Sequence, residues 1–243
     1  MTWCTREFSA LAWERIAGIR GRIDQLPLLT QLADGTLEPR RFVEYIVQDD
    51  FYLRGYSRAL ALLAARAPHA RARSFWARSA GEAVAAETLM HDALLNDPLL
   101  RSAPHAAAPS PTTRGYVNFI QTAVAYDPYP VGVAAVLPCY WVYAQVSLDL
   151  AERAGAVENH PYGTWVAAYA DPAFQETTAT AIELLDEAAE ALKGPKIVDL
   201  SGSVDLVHHE GVESEHHEHK DGEGHAHKHA HKSGSEDLDP HFW

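Results

Sequence analysis

Apolar residues recur at alternating three- and four-residue spacing along most of the first 193 positions, which is the period of an amphipathic helix. The pattern predicts helices over 6–20, 38–66, 70–95, 112–126, 131–154, 161–169 and 173–192. Punctuation falls between them. Asp34-Gly35 reads as a turn, Pro68 stops one helix, and the stretch from Asn96 to Pro111 reads as a loop rich in Pro and Ala. No alternating strand pattern of convincing length occurs in this part. The expected fold class is therefore all-α, a bundle whose helices pack antiparallel through short connections.

Two places break the apolar pattern with chemistry. In the helix over 38–66, Phe42, Ile46, Asp49, Leu53, Tyr56, Leu60 and Leu63 form one stripe. Asp49 stands where an apolar residue belongs, and a carboxylate there is costly unless it is bonded or faces a polar cavity. Its neighbour Asp50 points about 100° away and is expected to be solvated. Tyr52 flanks the face of Asp49. The second place is Val131 to Leu148, a run without a charged residue that contains Leu137-Pro138-Cys139-Tyr140-Trp141-Val142-Tyr143. Pro138 suits a first helical turn or a kink. A helix starting there puts Cys139 near a positive dipole end, which favours the thiolate, with Tyr143 one turn on as a hydrogen-bond partner. Both places also have plain readings: a small buried core cysteine, and a structural aspartate bonded to a neighbouring helix.

Other candidates are weaker. Glu87 and His91 lie one turn apart, a spacing that serves a structural pair as well as a metal or a base. Tyr116 and Phe119 share a helix expected to face the Cys139 helix, as core or as pocket wall. The Val131–Leu148 run approaches the length of a membrane span, yet Pro138, Gln145 and two tyrosines suit a central bundle helix better.

Composition narrows the function classes. The chain has 243 residues, 47% of them hydrophobic, enough for a sizeable core. A net charge of −13 argues against a nucleic-acid surface. Two cysteines, Cys4 and Cys139, make no disulfide framework and suit a reducing, cytoplasmic setting. Arg6, Glu7 and Glu14 interrupt any apolar leader, so no signal peptide is expected.

The character changes after Lys193-Gly194-Pro195-Lys196. Ile197 to Leu200 reads as a short strand, and a low-complexity tract follows that cannot bury enough apolar surface to fold. Residues 208–243 hold nine acids and three lysines. His208, His209, His216, His217, His219, His225, His227, His229 and His231 crowd this tract, and His-x-His spacing binds divalent transition metals such as zinc or nickel loosely. The expected domains are 1–193, helical, and 194–243, a His-rich tail.

Three blocks carry a resemblance. Gln48-Asp49-Asp50-Phe51-Tyr52-Leu53, Leu137 to Tyr143, and Asn159-His160-Pro161-Tyr162-Gly163-Thr164-Trp165 with Tyr169 resemble, in order, the signature blocks of the TenA/thiaminase II family, over about residues 8–192. The resemblance implies a heme-oxygenase-like helical bundle, a homotetramer, and thiamin salvage: hydrolytic release of an amine from an aminomethyl-pyrimidine. It implies Cys139 as nucleophile, Asp49 on the ring's amino group and nitrogen, Tyr143 orienting Cys139, and Tyr52, Tyr116 and Tyr162 as stacking walls. It implies no metal or organic cofactor for catalysis, a small-molecule aminopyrimidine partner, and neither nucleic acid nor membrane. The family also brings an acid from a later helix, a Glu in a Tyr-Glu pair ahead of Phe-Trp. Glu187 and Glu190 do not match it, and Phe242-Trp243 follows Asp-Pro-His instead, so impaired activity is expected. Residues 196–201, the His-rich loop and Asp239 to Trp243 resemble a fragment of a zinc-binding protein of an ABC importer, with His241 as a zinc ligand. The chain thus reads as a junction of two fragments, a chimera. The alternative to an enzyme is a non-catalytic bundle with a metal-binding tail.

Overall fold

Helix α4 (Pro39–Arg66) is the axis around which the other elements pack. Pro39 occupies its first turn, where a missing N–H costs nothing, and its apolar stripe is long enough to serve several neighbours. The computed structural model describes residues 3, 6–96, 107–168 and 171–192. Among them every regular element is a helix. The elements are α1 (Glu7–Arg15), α2 (Ala17–Asp24), α3 (Pro27–Ala33), α4, α5 (Ala70–Asn96), α6 (Pro111–Tyr126), α7 (Tyr129–Val136), α8 (Trp141–Gly155), α9 (Gly163–Ala168) and α10 (Pro172–Glu190), with a 3₁₀ turn at Leu137–Cys139. The all-α expectation holds.

Three differences from the expected elements have local causes. The first expected helix is two, α1 and α2, broken at Ile16, whose backbone leaves the helical region. Helix α3, not anticipated, begins with Pro27 at its first position and buries Leu32 and Ala33. The helix expected over 131–154 is interrupted: Pro138 sits in the 3₁₀ turn, and α8 starts at Trp141. The stretch Tyr129–Gly155 is long and apolar enough to cross a membrane by composition, but this turn divides it and over half of its most apolar window is buried within the protein.

Two apolar clusters form the interior. The larger joins α4, α5, α6, α7, α8 and α10 around Leu60, Leu63, Trp76, Ile120, Val133, Val136, Ile182 and Leu185. The smaller joins α3, the first half of α4, α8 and α9 around Leu32, Val43, Ile46, Leu150, Tyr162 and Val166. Gly55 lets α4 and α6 approach closely, since a Cβ there would stand 2.3 Å from Val117 Cγ1. The pair is also tied by Gln48, whose side-chain carbonyl accepts from Ser110 N and Thr113 Oγ1, each at 2.8 Å. Ser110 in turn caps α6. On the far side, the buried Asp186 of α10 accepts from Ser9 N of α1 at 2.9 Å.

The chain divides into two units, Met1–Ser203 and Val204–Trp243. The second lies outside the described residues, as do the expected boundary at 193/194, the short strand, Tyr169 and the whole His-rich tract. The metal assignments to His216, His217, His219, His225, His227, His229, His231 and His241 therefore fall outside them too. The side chains of Glu87 and His91 are likewise not described.

Candidate active site

The middle of the α4 stripe is not packed. Phe42, Ile46, Tyr56, Leu60 and Leu63 are buried as the period requires, but Asp49 and Leu53 are half-buried and face a cavity of about 960 Å³. The cavity runs between the two apolar clusters. Asp49, Tyr52 and Tyr56 come from α4, Ser79 and Glu82 from α5, and Tyr116 from α6. Cys139 and Tyr140 come from the 3₁₀ turn and its end, Tyr143 from α8, Trp165 from α9 and Phe174 from α10. A thiol and a carboxyl ninety positions apart in the sequence thus share one lining, as the sequence implied. Tyr52, Tyr116 and Tyr143 share it with them.

The phenols form a slab. Tyr52 lies nearly parallel to Tyr116, centroids 5.5 Å apart at 6°, and stacks on Tyr56 at 5.2 Å and 23°. Tyr56 is anchored, its hydroxyl donating to Val136 O at 2.8 Å. The Tyr52 hydroxyl is buried and closes no hydrogen bond, although both the Cys139 thiol and Tyr116 act on its titration. Tyr143 meets Phe174 edge-on at 6.1 Å and its hydroxyl stands 3.5 Å from that of Tyr45.

The electrostatics correct two expectations. Asp50, expected in solvent, is buried at 6% exposure and pairs with Arg54 at 2.7 Å. Asp49, in contrast, makes no hydrogen bond or ion pair to any described residue. Burial, and then the charge of Asp50, push its carboxyl up to about 7. The thiol of Cys139 is pushed up to about 11, not down. Burial is the main cause, opposed by the proximity of the Tyr52 hydroxyl, reinforced by the charge of Asp49, and opposed more weakly by Tyr56. The dipole of α8 does not overcome desolvation, because Cys139 precedes the helix rather than sitting inside its first turn. Its resting form at neutral pH is the thiol. The phenol with an O–H left to offer the sulfur is that of Tyr52, since the Tyr56 proton is given to Val136 O; sequence spacing gave that part to Tyr143.

Tyr162 departs from its expected place. It does not line the cavity. It is 8% exposed, its hydroxyl donates to Leu37 O at 2.7 Å, and its ring packs 4.6 Å from Phe42 within the smaller cluster. The nearby His160 is also structural, its Nε2 2.9 Å from Leu32 O and its Nδ1 accepting from Tyr162 N at 3.0 Å. The aromatic that α9 does present is Trp165, three residues on. Tyr56, Ser79, Glu82 and Phe174 were missed as lining residues. Only Tyr56 carried a signal, being seven positions from Asp49 on the same helical face.

A helical bundle thus brings a cysteine, a carboxyl and a flat face of stacked phenols around one cavity. The chain belongs to the TENA/THI-4/PQQC family, whose model matches residues 13–204. That match continues past the break after residue 193, into positions outside the described ones. The chain is 42% identical over 188 residues to the thiamine biosynthesis multifunctional protein ThiED of Corynebacterium efficiens, covering 77% of this chain but 25% of that protein. It therefore spans about a quarter of the multifunctional relatives. It is 30% identical over 166 residues to the aminopyrimidine aminohydrolase of Bacillus subtilis, covering 68% of this chain and 69% of the relative. A TenA homologue from Pyrococcus furiosus shares the fold, with a TM-score of 0.70 at 18% identity over 80% of this chain and 90% of the other.

Proposed function

We propose that the protein is an aminopyrimidine aminohydrolase of the thiaminase II type, releasing an amine from an aminomethyl-pyrimidine in thiamin salvage. The observation that carries the reading is the meeting of Cys139 and an unpartnered Asp49 in one phenol-lined cavity. An Asp49 that titrates near 7 is available in its neutral form, which suits an aminopyrimidine edge. Its O–H donates to a ring nitrogen while its carbonyl accepts from the ring's amino group. Tyr52 and Tyr116 provide a flat face for the ring.

The chemistry follows from those protonation states. Sulfur of Cys139 adds to a ring carbon, and the displaced electron pair moves to the ring nitrogen, which takes the proton of Asp49. The Asp49 carboxylate so formed accepts the proton released by the thiol, so the pair enters the next step recharged. The amine, protonated as its ammonium, then departs neutral with the C–N electron pair. Water adds at the exocyclic carbon and gives one proton to the departed amine; the ring nitrogen returns its proton through Asp49 to sulfur as the C–S bond breaks, and the thiol is regenerated. Tyr143 positions the ring edge, and Tyr56 steadies Tyr52. No step calls on a metal or an organic cofactor.

Cys139→Ala is expected to abolish amine release from an aminomethyl-pyrimidine, followed by liquid chromatography, while leaving the fold intact by circular dichroism. Amine release at the parental rate refutes the assignment. Zinc titration of the same variant tests the tail separately: we propose loose zinc or nickel capture by its histidines, supported by their His-x-His spacing. We also propose a homotetrameric assembly, supported by the family resemblance, and a cytoplasmic location, supported by the two-cysteine composition.

A further inference from the structure

The charged side chains that line the cavity are all acidic. Asp49, Glu82 and Asp171 contribute, and no Lys, Arg or His appears among the described lining residues. Asp49 is committed to the ring edge in the proposed chemistry. Glu82 lies elsewhere on the lining, on α5, close enough to Tyr140 to raise its pKa, as Cys139 also does. Among the described residues its ion-pair partner, Arg78, is distant and solvated, Nε to Oε1 3.9 Å, so Glu82 keeps most of its capacity for another cation. Ser79 sits one turn earlier on the same face of α5. It is 3% exposed, lines the cavity beside Tyr140, and its hydroxyl closes no hydrogen bond in good geometry. The Tyr140 phenol is its polar neighbour, and a buried hydroxyl short of a well-formed bond is costly unless a ligand supplies one.

We propose that Ser79 and Glu82 form an amine subsite that selects substrates carrying a protonated primary amine. The inference rests on the aminohydrolase reading and deepens it. The Glu82 carboxylate accepts from the ammonium, and the Ser79 hydroxyl accepts a second of its N–H groups. The charge pattern also sets what is refused: a phosphate ester meets three carboxylates and no described cation in the lining. An ammonium held by a carboxylate stays protonated, so the amine leaves as the neutral molecule without a separate acid at that step.

Binding discriminates this from a solvated rim. Titration calorimetry uses the full chain with Cys139→Ser, so that turnover does not intrude, and two probes that share one ring: an aminomethyl-aminopyrimidine and its hydroxymethyl counterpart. Glu82→Gln is expected to weaken the amine about fivefold, the order of a partly exposed charge-assisted bond, and to leave the hydroxymethyl compound within about twofold. Ser79→Ala is expected to act in the same direction with about a threefold loss. Equal effects on both probes, or none on either, overturn the subsite while the aminohydrolase reading stands. If the parent binds neither probe, that reading fails and the subsite fails with it.

Discussion

Two aromatic groups gather at successive levels of α4, and their rings pack differently. Phe42, Tyr162 and Trp165, with Tyr45, pack edge-on and tilted within 4.6–5.7 Å in the smaller cluster, and the Tyr162 hydroxyl is spent on Leu37 O. Tyr52, about two to three turns further along α4, stacks face to face on Tyr56 and on Tyr116 of α6, with its hydroxyl uncommitted and Tyr116 still 38% exposed. Edge-on packing fills volume from every direction, whereas stacked rings leave a flat face free. The first group holds the helices together, with Tyr45 and Trp165 also reaching the cavity wall, and the second leaves a flat face open. Residue type alone does not tell the two apart; the way the rings meet does.

The strongest way to break this contrast is at Asp49. Asp49→Asn keeps a donor and an acceptor for the ring edge but cannot pass a proton. Turnover is expected to fall by about 100-fold or more while ligand affinity stays within a few-fold. Stability should move the other way. The carboxyl is raised from 3.8 to about 7, so the folded state holds its proton more tightly than the unfolded chain. The stability that the bound proton provides is complete below about pH 4 and is lost as pH rises through about 7. The Asn variant does not titrate. Its advantage over the parent in urea unfolding should be absent at pH 4 and reach on the order of 3 kcal/mol at pH 8. A pH-independent difference would show that Asp49 is not held in this way.

A paired deletion of hydroxyls sharpens the comparison. Tyr162→Phe removes a satisfied bond and should lower stability by about 1 kcal/mol, with no change in ligand affinity or turnover. Tyr52→Phe removes an unsatisfied one and should leave stability unchanged or slightly raised, while turnover drops about tenfold because the ionising sulfur loses a donor. Denaturant melts and steady-state rates on the two variants read both halves. The smallest effect is expected from Asp50→Asn, which removes the charge that helps to raise Asp49. The pH midpoint governed by Asp49 should fall by less than about one unit, since burial remains the larger cause.

Much of this was legible in the chain and some was not, for identifiable reasons. Asp49 stood out because it broke an otherwise regular stripe, and a strict period makes any exception visible. Cys139 stood out for the same reason in an uncharged run. Tyr162 misled because a motif block carries no information on which way its ring points; a three-residue offset at the start of a short helix decides between Leu37 and the cavity. The neighbouring pair Asp49-Asp50 misled through helical geometry itself. The 100° step correctly separated them, but the side away from the stripe held Arg54 rather than water. The thiol's high pKa was hidden because it depends on burial, which overrides a dipole argument that sequence alone can make. Ser79 and Glu82 gave no signal, since α5 is rich in alanine and its cavity-facing side is set by packing on α4.

The close contact at Gly55 bears on how this scaffold changes over time. The cavity bounded in part by α4 and α6 has its spacing fixed where Val117 nests against a residue without a side chain. Substrate size can therefore be retuned from a position that never touches the ligand: trimming Val117 loosens the seam, and adding bulk at Gly55 splays it, with the reacting groups left as they are. Lineages can diverge in the breadth of rings they accept before any change appears among the residues that do the chemistry.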